Sequence, residues 1–155
     1  MTATNDSANV VGSPPLVLLA LLAGGGLLHL AFPVDLLPDS FPNVIGLPFI
    51  VSAIALFMLS VREFSRQGTS VRGSEPASVV VASGPYRFSR NPIYLSMLLL
   101  EAGVALMANS AWILAAVAPM FAYLSLGVIV REEGYLSRKF GGEYLRYKTS
   151  VRRWI

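Results

Sequence analysis

Two short polar stretches hold most of the groups in this chain able to do chemistry. The first, GPYRFSRNPIY over residues 84–94, leads into an apolar run; the second opens with Arg131, Glu132 and Glu133, just after another. Asn91 is a good N-cap and Pro92 suits the first helical position, so a helix is expected to begin there. A helix start presents unpaired N–H groups and the positive end of the dipole, a ready anion site. Asn91 and Tyr94 lie three apart and share a face. Glu132 and Glu133 supply the opposite charge. Anion-binding and cation-binding groups in one place suit a zwitterionic ligand. A plainer reading sets Arg87 and Arg90 against lipid phosphates, puts Tyr86 and Tyr94 in an interfacial aromatic belt, and leaves the glutamates as a solvated helix end.

The elements that must position these residues follow from composition. Of 155 residues, 54% are hydrophobic and 14% charged, against roughly 45–50% and 25% in soluble domains. Length alone suggests one domain. With no cysteine, disulfides, thiolate metal sites and cysteine nucleophiles are excluded. The single histidine, His29, has no second nitrogen or sulfur partner for a zinc site, so no metal is expected. The first 15 residues carry no Lys or Arg; they read as a short disordered tail and not as a secretory leader.

Four apolar runs follow, over residues 16–32, 44–61 (mildly interrupted by Pro48), 93–108 and 111–130 (with Pro119 inside). Each falls in the lower part of the length range needed to cross about 30 Å of hydrocarbon. Unpaired backbone groups are too costly in lipid for loops or open sheets, so an all-α membrane protein with four transmembrane helices is expected. Gly24, Gly25 and Gly26 allow the first helix to approach a neighbour closely. All twelve Lys and Arg lie within residues 62–90 or 131–153. The positive-inside rule places both regions, and both termini, in the cytoplasm. The turn at Asn109 and Ser110 is short, so the third and fourth runs form an antiparallel hairpin that brings residues 91–94 and 131–133 to one level. The tail is expected to continue the fourth helix as an amphipathic segment as far as Gly141 and Gly142, at the interface. Residues 16–155 thus read as one membrane domain with a cytoplasmic cap made of 62–92 and 131–155.

Three elements occur in order: G-P-Y-R-x-x-R-[HN]-P-x-Y from Gly84, E-E-x-x-L from Glu132, and F-G-x-E-Y-x-x-Y from Phe140. From about residue 68 onward the chain resembles the isoprenylcysteine carboxyl methyltransferase and phospholipid methyltransferase superfamily, integral-membrane enzymes that use S-adenosylmethionine. That cofactor carries a carboxylate, an amine, two ribose hydroxyls and a sulfonium, matching the mixed charge of the two stretches. The resemblance implies cofactor binding by Gly84, Tyr86, Arg90, Asn91, Pro92, Tyr94, Glu132, Glu133, Tyr144 and Tyr147. It implies that Glu132, Glu133 and Arg90 serve the chemistry. Asn91 stands where the family has histidine; it can donate a hydrogen bond but cannot relay a proton. Of the adjacent glutamates, about 100° apart on a helix, one is expected to face the cofactor and the other to pair with an arginine or face the substrate.

Methyl transfer from a sulfonium is an in-line displacement, needing alignment and exclusion of water more than acid–base groups. The acceptor is expected to be lipophilic and to come from the bilayer; carboxylate, amine and thiol acceptors all occur in the superfamily. No nucleic-acid partner is expected, and a bacterial inner membrane fits the compact chain. Glu101 lies near mid-membrane, and an intramembrane carboxylate is a functional candidate. It is about 15 Å below Asn91, too deep for the cofactor, so a substrate-tunnel role shared with His29 stands beside pairing with His29, hydrogen bonding to Ser52, or a carboxyl that sits protonated. Residues 64–83 read as an irregular cap. The competing reading is a non-catalytic four-helix subunit that binds anionic lipids through its basic face.

Overall fold

The computed structural model describes residues 12–38, 41, 43–69 and 76–155. The described elements are helical: α1 (Pro14–Ala31), α2 (Leu47–Arg66), α3 (Pro92–Met107), α4 (Ala111–Ala122), α5 (Ile129–Phe140) and α6 (Gly142–Ser150). Short 3₁₀ turns at Asn43–Gly46 and Gly84–Arg87 precede α2 and α3. A π-helical stretch, Tyr123–Val128, joins α4 to α5, so residues Ala111–Phe140 run as one helix of 30 residues.

Most helix boundaries follow from local chemistry. Pro14 and Pro15 start α1 two residues before the expected Leu16, where their missing N–H groups cost nothing. Pro48 does not interrupt the second run. It sits in the first turn of α2, and residues 43–46 ahead of it form the 3₁₀ turn. That helix continues to Arg66, so residues 64–66 are helix and not cap. Ser110 caps α4 by accepting Ile113 N–H at 3.3 Å. Gly141, at φ +51°, ends α5 where the tail was expected to break. Residues 67–69 and 76–83 are irregular; residues 70–75 of the expected cap and residues 1–11 of the expected tail lie outside the described residues.

Three helical stretches, Pro14–Ala31, Val44–Arg66 and Ala111–Phe140, are long and apolar enough to cross a membrane. The third apolar run is a shorter case. α3 has 16 residues, about 24 Å at helical rise. By contrast, residues 111–140 extend about 45 Å, so the polar part of that helix, from Arg131, lies beyond a 30 Å hydrocarbon layer. Apolar side chains point outward along these helices, with Leu30 79% and Leu126 74% exposed, as lipid-facing surfaces require.

α3 packs between α2 and α4, and α1 packs on α4. In lipid such packing relies on close backbone approach. A Cβ at Gly46 would collide with the Gly103 carbonyl oxygen, and one at Gly103 would lie 2.7 Å from Ile50 Cγ1. These two glycines therefore set the α2–α3 approach. Of the triplet in α1, Gly25 alone faces a neighbour, with a Cβ there 3.0 Å from Ile113 Cα. Leu18, Met97, Met120, Leu124, Val128 and Ile129 form the core cluster; Tyr94 and Trp154 pack at its edge. The apolar core thus ends where the polar stretches begin.

Candidate functional site

The hairpin brings the two polar stretches into contact. Tyr94, on the first turn of α3, donates its hydroxyl to Glu132 Oε1 on α5 at 2.5 Å. Glu133 faces another way. Arg153 binds it in a two-point fork, Nε to Oε1 at 3.0 Å and a terminal nitrogen to Oε2 at 2.9 Å. Arg90 and Lys148 approach its oxygens at 3.0 Å each. The adjacent glutamates therefore divide as their 100° separation suggests: one meets a tyrosine, the other a cluster of cations. Glu133 is buried and the Arg90 side chain is only 10% exposed, so the Arg90 charge depends on this carboxylate.

Asn91 occupies the cap position of α3, but its side chain does not cap the helix. It donates from Nδ2 to the Arg153 carbonyl at 2.9 Å. The reason is the returning chain end. Arg90 N–H donates to the Arg152 carbonyl at 3.0 Å, and Ser89 Oγ donates to the Arg153 carbonyl at 3.4 Å. Residues 151–155 thus lie along the turn before α3, with Trp154 packed 5.1 Å from the Phe121 ring. Pro92 is buried at the start of α3.

Tyr86, Tyr144 and Tyr147 close the same region. Tyr147 donates to the Tyr86 carbonyl at 2.8 Å, and the Tyr144 and Tyr147 rings stand 6.1 Å apart. Burial, then the neighbouring Tyr147 and Glu132, pushes the Tyr86 hydroxyl above its usual range. Burial raises Tyr144 and Tyr147 as well. These phenols stay protonated, and Tyr147 uses its proton in the bond to the Tyr86 carbonyl. The hydrogen bonds to Glu133 hold Arg153 above its usual value. Gly84 begins the turn that carries Tyr86 and takes φ +58°.

Two predicted residues do not join this cluster. Glu101 is fully buried on α3, and among the described residues neither its carboxylate oxygens nor His29 Nδ1 on α1 has a hydrogen-bond partner. The Glu101 carboxylate makes neither of the contacts weighed for it, with His29 or with Ser52. Conversely, reading the sequence missed Arg153 and Lys148 as partners of Glu133. Both were visible only as two of seven cations in the tail, and no spacing rule distinguishes them.

Three helices long and apolar enough to span a bilayer, with a polar cluster gathered at helix ends, define an integral membrane protein. The phospholipid methyltransferase family matches residues 42–143, about two thirds of the chain, and the chain belongs to that family. The match runs from the turn before α2 into α6; it includes Tyr94, Glu132 and Glu133 but stops short of Arg153. An uncharacterized protein of Haemophilus influenzae is 46% identical over 65 residues, 41% of this chain and all of that protein. No solved structure matches. The family is one of membrane methyltransferases.

Proposed function

We infer that this protein transfers a methyl group from S-adenosylmethionine to a lipophilic acceptor drawn from the bilayer. The observation that carries this reading is the Tyr94–Glu132 hydrogen bond beside the Glu133 cation cluster. It joins the first two motif elements, and the Tyr147–Tyr86 hydrogen bond brings the third to the same region.

The donor set suits such a cofactor. Glu132 and the tyrosine rings of Tyr86 and Tyr94 favour a cationic group, while Arg90, Lys148 and Arg153 outnumber the one carboxylate they share and leave positive charge for an anionic group. Tyr144 and Tyr147 offer aromatic surface for the adenosyl part. When bound, the cofactor supplies an electrophilic methyl on a sulfonium. The chain's own residues hold and align it: Asn91, Pro92, Gly84 and Arg90 frame the start of α3, and Tyr94 fixes the Glu132 carboxylate. Glu132 keeps one oxygen beyond its tyrosine contact, placing a carboxylate where an amine or thiol acceptor must shed a proton. A carboxylate acceptor needs no such help.

Four crossings agree with the alternation of the helices, α3 being the short one. Cations crowd residues 62–90 and 131–153, and this bias supports a site on the cytoplasmic face. There a soluble donor and a membrane-borne acceptor meet. The test is calorimetric titration of S-adenosylhomocysteine into detergent-purified protein, followed by incubation with methyl-labelled cofactor and native lipid extract. Saturable binding and label in a lipid-soluble product are expected. Absence of binding at high micromolar ligand overturns the reading.

A further inference from the structure

A second polar cluster, at the cytoplasmic end of α2, is not used by the site as described. Glu63 Oε1 accepts the Ser83 hydroxyl at 2.5 Å and Gln67 Nε2 at 3.4 Å. Gln67 Nε2 also donates to Ser83 Oγ at 2.6 Å. Three side chains thus close a ring between α2 and the residue before Gly84. Arg66 adds a 3.8 Å ion pair, but it is 68% exposed and contributes little. Glu63 itself is only 12% exposed, on the last turn of its helix. Negative charge there opposes the helix dipole. A carboxylate kept in such a place depends on its partners, and its main partner is the turn.

That turn leads into the site. Gly84 packs so tightly on Glu63 that a Cβ would lie 3.2 Å from Oε2, at a φ of +58°. Tyr86 N–H donates to the Ser83 carbonyl at 3.1 Å. One residue after Glu63, the Phe64 ring meets the Tyr86 ring edge-on at 5.3 Å. Tyr86 then carries the Tyr147 hydroxyl on its own carbonyl. A continuous chain of contacts runs from α2 through Ser83 and Tyr86 to α6. A hydrogen bond to an ionised acceptor is roughly twice as strong as a neutral one, so Glu63 holds the corner more firmly than a serine or amide would.

We propose that Glu63 is a positioning residue: its carboxylate locks the Ser83–Gly84 corner and so sets where Tyr86 and Tyr147 stand against the methyl-transfer site. This rests on the reading of that site as a cofactor site. A clamp that merely stabilises the fold would lower the folded fraction without changing affinity.

The experiment uses the full chain in detergent, with Glu63→Gln, Ser83→Ala and the double variant. S-adenosylhomocysteine titration gives affinity and stoichiometry, and hydrogen-exchange mass spectrometry follows peptides from residues 84–94 and 142–150. Each single variant is expected to weaken binding about tenfold, as loss of one charge-assisted hydrogen bond implies, with stoichiometry unchanged. The double variant should be no worse than the weaker single. Exchange should quicken in both peptides. Unchanged affinity, or faster exchange confined to residues 84–94, overturns the proposal. If wild type fails to bind, the cofactor reading falls, and the α6 peptide still decides whether Glu63 positions Tyr147. Glu63→Gln keeps the shape of the side chain, so a loss of folding in Ser83→Ala alone leaves the test intact.

Discussion

The carboxylates around α3 show what helix ends can do that helix middles cannot. Glu133 meets Arg90, Lys148 and Arg153, and Glu132 meets Tyr94. Glu101, on the same α3 that carries Tyr94, meets no hydrogen-bond partner among the described residues. At the ends, chain turns bring side chains and free carbonyls from several elements together. In the middle, neighbouring helices present the apolar side chains that lipid and close packing demand. A polar cluster therefore assembles only beyond the apolar layer, and a carboxylate within that layer stands alone unless a ligand reaches it.

The largest effect expected is that of Glu133→Ala. It leaves Arg90 buried without its counter-charge, and breaking such a pair costs about 3–5 kcal/mol. Thermal unfolding in detergent should show a clear drop in midpoint, and a midpoint equal to wild type would erase the distinction between helix end and helix middle. Glu132→Gln should fold normally but bind S-adenosylhomocysteine roughly 10- to 100-fold more weakly, in line with loss of a charged hydrogen-bonding group. Tyr94→Phe should weaken binding less, by about tenfold, because the carboxylate survives and loses only its fixed orientation. Both are read by titration calorimetry.

The smallest effect, and the one that sharpens the contrast most, is expected from Glu101→Leu. Removing a buried group with unmet hydrogen bonds is neutral or stabilising by about 1 kcal/mol, the opposite sign to Glu133→Ala. Affinity for S-adenosylhomocysteine should stay within about twofold, since additivity holds at that distance. Turnover of a lipid acceptor is the informative readout. A fall in turnover with binding intact places Glu101 on the acceptor's path, and unchanged turnover removes it from the reaction.

Particular residues mark how far the sequence could be read. The apolar runs, the start of α3 at Pro92 and the break at Gly141 were legible because they depend on neighbours a few residues away. So was the meeting of Tyr94 with the glutamate pair, because a short turn between two helices leaves little freedom in how they return. Asn91 was misjudged as a capping side chain, since the cap rule assumes that nothing distant fixes the amide by its nitrogen. The Arg153 carbonyl, from 62 residues away, does so by accepting from Nδ2. Glu63 and Ser83 gave no signal for the same reason: they lie 20 residues apart, across a stretch of sequence with no helical or strand period.

The amino-acid sequence by itself determined that this chain is helical, that its apolar stretches belong in a membrane, and to which family it belongs. Those properties are local: backbone groups in lipid must bond within their own segment, and motif identity needs no coordinates. Only the tertiary structure decided which glutamate pairs with which group. Adjacent side chains differ by about a third of a turn, the π-helical stretch shifts the face that α5 presents, and the cations that claim Glu133 arrive from α6 and the chain beyond it. The direction of a side chain in space depends on how whole elements pack, and no spacing along the chain encodes that.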